Sequence, residues 1–160
     1  MRRHETPQGA PCHDPGLTPR GPFTLIDESY NANPASMTAA LALLNATPVS
    51  GQGRRIAVLG DMLELGAHSA KLHAGLAGLI VGTDTSTVFL GGPEMKALAE
   101  VLPGDIATAY RTGVQELKPV LLDAVGPGDV VMVKSSKGIG FSKLVDALLK
   151  KFPAQAGTPH

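Results

Sequence analysis

Five times along this chain a short apolar run gives way to a polar turn and then to apolar residues at helical spacing. The runs are 23–26, 54–60, 87–90, 106–110 and 129–134, the fourth being the weakest. Their length and their β-branched and aromatic content are those of buried strands. The stripes between them are Met37, Ala40, Leu41 and Leu44, then Leu72, Leu76, Leu79 and Ile80, then Met95, Leu98 and Leu102. Val114, Leu117, Leu121 and Val125 form the fourth, and Phe141, Leu144, Val145 and Leu148 the last. Apolar positions three and four apart lie on one helix face. A strand alternating with a helix of this length requires crossover connections and a mainly parallel sheet covered on both sides. The fold class expected is therefore α/β, a Rossmann-like three-layer αβα sandwich with a mainly parallel sheet of five to six strands, five of them evident in the pattern. Pro119 interrupts the fourth stripe, which predicts either a kink or a helix start near Lys118.

Composition narrows the function classes. The 160 residues suit one domain, and 43% apolar with 18% charged residues is a globular balance. Lys plus Arg equals Asp plus Glu at 14 each, so no overall basic field draws in nucleic acid or an anionic membrane. A single cysteine, Cys12, excludes an internal disulfide and fits a reducing compartment, hence the cytoplasm. No apolar run approaches the roughly 20 residues that span a bilayer, so membrane insertion is not expected. Residues 1–21 are rich in proline and glycine without apolar period and read as a disordered leader, 22–152 as the domain, and 153–160 as a flexible tail. His4, Cys12 and His13 match no metal-ligand spacing, and no metal site is expected.

In an open α/β sheet, ligands bind beyond the carboxyl ends of the strands, which directs attention to two stretches. In the first, FTLIDESYNANPASM (23–37), the strand ends in Asp27 and Glu28 and a polar loop runs to a helix at Pro34. Asn33 before Pro34 is a helix-start signature, since the amide can cap orphan N–H groups and proline has none to lose. The two carboxylates could act as acid and base, could accept from ribose hydroxyls, or could merely cap the loop. Tyr30, Asn31 and Asn33 offer a ring for stacking and amides able to read a base or a peptide. In the second stretch Lys134, Ser135 and Ser136 end the last strand, followed by Lys137 and Gly138 ahead of a helix, where N–H groups and cations suit a carboxylate. Two negatives matter as much. No G-x-x-x-x-G-K-[ST] phosphate loop occurs, and neither Gly51-Gln52-Gly53 nor Gly138-Ile139-Gly140 continues as a dinucleotide fingerprint, so both read as turns. His68 and His73, beside the loop 62–66, read as surface or capping residues rather than catalysts.

DESYNANP (27–34), VLGDMLELG (58–66) and VMVKSSKGIGFSKLVDAL (131–148) together resemble the C-terminal domain of the Mur ligases, in the same order. Among those ligases the wording is most similar to the enzymes adding D-alanyl-D-alanine to the UDP-muramoyl tripeptide, and less so to the related folate polyglutamate ligases. The resemblance covers about residues 22–152. It implies six strands, one of them antiparallel, and a role in closing over ATP whose phosphate loop and magnesium ligands belong mainly to a central ATPase domain not present in this chain. It further assigns Asp27, Glu28, Tyr30, Asn31 and Asn33 to the nucleotide side, and Lys134, Ser135 and Ser136 to the incoming amino-acid substrate. Partners implied are the UDP-muramoyl tripeptide, D-alanyl-D-alanine and the central domain. The chain departs from the pattern at Glu28, where many relatives carry Asp, and at Ser135, where Gly is usual. It is expected to be inactive alone, as part of a larger gene; the competing reading is an independent Rossmann-like nucleotide-binding or protein-interaction module.

Overall fold

The computed structural model describes residues 14–18, 21–29, 32–49, 53–126 and 128–151. Six strands form one sheet: β1 (Asp14–Thr18), β2 (Gly21–Glu28), β3 (Arg55–Gly60), β4 (Thr85–Gly91), β5 (Ala107–Arg111) and β6 (Val130–Lys134), in the spatial order β1-β2-β6-β3-β4-β5. β2, β6, β3, β4 and β5 run parallel, and β1 is antiparallel to β2 at the edge. The helices are α1 (Pro34–Ala46), α2 (Ser69–Ala74), α3 (Leu76–Val81), α4 (Lys96–Ala99), α5 (Val114–Ala124) and α6 (Ser142–Lys151).

Strand residues alternate strictly between two cores. Ile26, Ala57, Leu59, Val88, Leu90, Val130 and Met132 meet α1, α3 and α4 on one face. Phe23, Leu25, Ile56, Val58, Phe89, Val131 and Val133 meet α5 and α6 on the other. A sheet buried on both sides needs strands apolar at every position, which is why the runs read as continuous rather than alternating. Each fully buried leucine or valine contributes about 1.5–3 kcal/mol.

Connectivity then fixes where a ligand can enter. The chain leaves β2 and β3 toward helices on one face, whereas β6, lying between them, leads into α6 on the other. Loops that part in opposite directions leave a crevice at the carboxyl ends of neighbouring strands. Here that reversal of connection lies at the tip of β6, with β2 and β3 on either side.

Three expectations change in whole or in part. Asp14–Thr18 forms strand β1 within the stretch 1–21 expected to lack regular structure, the rest of that stretch before β2 lying outside the described residues. Pro15 and Gly16 hid it, but proline is tolerated at a sheet edge, where one side of the ladder needs no donor. Of the two readings for Pro119, the helix start near Lys118 is removed: α5 begins at Val114 and runs through the proline, which stands inside the helix. Position 119 and Gln115, whose carbonyl loses its usual partner, are both exposed, so water can serve that carbonyl. The helix expected around residues 72–80 is two short ones meeting at Gly75. Its buried side carries His73, Leu76 and Ile80, while Leu79 is exposed and Leu72 only partly buried.

Candidate functional site

Lys134, Ser135 and Ser136 are all buried at the tip of β6. Strand register sets Lys134 beside Glu28 of β2 and Leu59 of β3, and the Lys134 ammonium lies 3.3 Å from the Glu28 carboxylate with both side chains almost fully out of water. Glu28, expected on the nucleotide side, and Lys134, expected on the amino-acid side, are thus partners in one buried ion pair. Inside a protein neither charge is stable alone, so the end of β6 holds a neutralised pair instead of presenting a bare cation. Asp27 points the other way and is half-buried; one carboxylate oxygen accepts from the Ser29 N–H at 3.0 Å and the Ser29 hydroxyl at 2.6 Å. Asn33 caps α1. Its side-chain oxygen accepts from the Ser36 N–H at 2.8 Å, and the Ser36 hydroxyl accepts from the Asn33 N–H at 2.9 Å, the reciprocal arrangement of a capping box. Tyr30 and Asn31 lie outside the described residues.

Ser136 joins all three loops around the crevice. Its N–H donates to the Asp61 carbonyl at 3.2 Å, its hydroxyl accepts from the Leu63 N–H at 2.9 Å, and the same hydroxyl donates to the Ala32 carbonyl at 3.4 Å. Ser135 turns inward, its hydroxyl donating to the Ser136 carbonyl. The Ser135 side chain, at a position where the family resemblance implies glycine, is accommodated by a glycine opposite: a Cβ on Gly60 would fall 2.6 Å from the Ser135 Cβ and 2.9 Å from the Phe141 ring. Close approach of the β3 and β6 ends is therefore bought at position 60 instead of 135.

The loop after β3 carries groups that sequence reasoning passed over. Asp61 is buried, and its carboxylate accepts from the N–H groups of Met95 at 2.9 Å and Glu94 at 3.2 Å. Burial raises its pKa above the ordinary value, while those two N–H groups act in the opposite direction. His73 is wholly buried, contrary to its reading as a surface or capping residue; its Nε2 accepts from the Met62 N–H at 2.9 Å. Ser69 donates to Glu94 at 2.5 Å. His68 is exposed. Residues of this loop, with Ser69, Glu94 and Ile139, line an open groove of about 410 Å³ beside Ser136. The one available signal was spacing, since Ser69 and His73 lie one helical turn apart. Among the described residues no three His, Cys, Asp or Glu side chains gather as a metal site, and no helix is long and apolar enough to cross a membrane. His4, Cys12 and His13 lie outside the described residues.

The family profile described as "Mur ligase, glutamate ligase domain" matches residues 17–137. The chain belongs to this family. It is 33% identical over 122 residues to the UDP-N-acetylmuramoyl-tripeptide/D-alanyl-D-alanine ligase of Rickettsia prowazekii, covering 76% of this chain and 26% of that protein. To the Mycobacterium tuberculosis ligase of the same name it is 36% identical over 157 residues, covering 86% and 31%. This Mur ligase domain thus spans about a quarter to a third of the length of the curated relatives it matches. Its fold is that of MurF from Acinetobacter baumannii, with a TM-score of 0.72 at 24% identity over 91% of this chain and 31% of that one. The Thermotoga maritima MurF crystallised with ADP superposes with a TM-score of 0.67 at 23% identity, over 86% and 31%. The six strands with one antiparallel member, expected from the family resemblance, are all present.

Proposed function

We propose that this chain is the C-terminal, substrate-closing domain of an ATP-dependent ligase that joins D-alanyl-D-alanine to UDP-N-acetylmuramoyl-tripeptide during peptidoglycan synthesis. The observation that carries this reading is the set of relatives at 30–36% identity that bear this ligase's name. In the complete enzyme the tripeptide carboxylate is activated by ATP and the dipeptide amine attacks it. The domain's contribution is to close over the nucleotide and orient the amine, an effect of proximity more than of proton transfer. ATP and its magnesium are gripped mainly by a central ATPase domain, consistent with the lack of a phosphate loop in these 160 residues.

The side chains support a division of labour at the crevice. Asp27, half-buried at the end of β2, is assigned to a ribose hydroxyl in addition to its Ser29 contacts, and Glu28 to its pair with Lys134. Tyr30, Asn31 and Asn33 complete the nucleotide side of the proposal, and Lys134, Ser135 and Ser136 the dipeptide side. Lys134 acts there as one half of a neutralised pair, and Ser136 holds the three loops in register.

The test is a chimera in which residues 14–152, β1 included, replace the corresponding segment of the Bacillus subtilis ligase. ATP-dependent phosphate release that requires both the tripeptide nucleotide and D-alanyl-D-alanine is the expected result. A well-folded chimera without ligation overturns the proposal and leaves an independent binding module.

A further inference from the structure

His73 bears on the crevice without touching it. Its Nε2 accepts from the Met62 N–H at 2.9 Å, so that nitrogen carries a lone pair, and the ring proton belongs on Nδ1, which lies 2.7 Å from the Ser69 carbonyl. The Ser69 hydroxyl is also within 3.2 Å of Nδ1. The ring so pins Met62. On either side of that residue the chain meets Ser136, through the Asp61 carbonyl before it and the Leu63 N–H after it. Three consecutive residues are thereby suspended between a buried imidazole and the serine that joins the crevice loops.

We infer that His73 is a positioning residue for the Ser136 crossing, acting through residues 61–63, and that it holds them only as the neutral imidazole. Protonation at Nε2 replaces the acceptor with a second donor facing the Met62 N–H. Two donors cannot share the contact, and residues 61–63 must shift. The charged and titratable groups carried by the loop and by the elements packed against α2 are Asp61 and Glu64 on the loop, His68 on the turn before α2, Glu94, which accepts from Ser69, Lys96 and Glu100 on or next to α4, and Lys71 on the ring's own helix. The bearing on ligation rests on the function proposed above; the latch itself does not.

The experiment uses the intact chain. Nitrogen-15 spectra of the histidine rings should show the Nδ1–H tautomer for His73 at neutral pH. As the ring takes its second proton, amide exchange at Met62 should accelerate on the order of tenfold beyond the intrinsic pH effect, as for a lost hydrogen bond, while Val58 and Leu121 in the cores stay protected. His73→Gln, whose amide oxygen can take the place of Nε2, should keep Met62 protected and abolish the pH dependence. An Nε2–H tautomer, Met62 exchange that merely tracks Val58, or pH dependence persisting in His73→Gln overturns the inference. The wild-type titration decides the matter even if the variant fails to fold. In the ligase chimera, kcat/KM should fall on the acid side with His73 and not with Gln. A chimera that does not ligate while the amide pattern holds removes the proposed function and leaves the latch standing.

Discussion

Lys134 and Glu28 are each exposed by no more than 3% of their side chains, and their interaction is best judged by what remains when one is removed. A buried carboxylate deprived of its cation costs about 3–5 kcal/mol, whereas replacing both charges by apolar groups of similar volume is often neutral. Lys134→Met should therefore destabilise the domain strongly in denaturant melts, and adding Glu28→Leu should recover most of the loss. A double variant as unstable as the sum of the two singles refutes a coupled pair. Asp61 gives a pH prediction of unusual sign. Its folded pKa is raised from 3.8, burial being the largest cause, so the native chain binds this proton more tightly than the unfolded chain does. Stability then declines as pH rises from the unfolded value through the folded one. Relative to Asp61→Asn, the wild-type domain should lose stability across that interval. A difference that is flat, or that grows in the wild type's favour, contradicts the assignment.

At the scale of elements, β1 changes the account of the sheet's edge. Five residues, Asp14–Thr18, pair with residues 21–25 of β2, and without them β2 would present an open row of N–H and C=O groups, the usual seed of unwanted pairing. Removing residues 1–20 should lower the melting temperature by several degrees, corresponding to about 1 kcal/mol or more in a domain of this size, and should increase aggregation. An unchanged melt would make β1 dispensable. α1 stands in contrast, since its start was legible: Asn33 and Pro34 are a cap and a first helical residue in sequence and in structure alike. Local chemistry decides a cap, whereas an edge strand with Pro15 and Gly16 is decided by the partner beside it.

Across the whole molecule, the proposed function has a direct consequence: the isolated chain should bind or close upon substrates without turning them over. Robust ATP-dependent ligation by the chain alone would contradict the dependence on a central domain. The alternation of apolar runs and helical stripes determined the layer architecture, because each stripe must be buried and a sheet between two layers of helices is the arrangement that buries them all. It also located the strand ends, and with them Asp27, Glu28, Lys134, Ser135 and Ser136. What it could not determine was strand order. Only the tertiary structure inserts β6 between β2 and β3, and that placement pairs Lys134 with Glu28, residues 106 apart in the chain, and brings Ser136 against Asp61 and Leu63. His73 shows the same limit: one histidine on a short helix carries no periodic mark of burial, and its role arises only when the loop after β3 folds back to give its ring nitrogen a backbone N–H. Hydrophobic period is a local property readable one segment at a time, while a buried polar contact exists only between segments already packed.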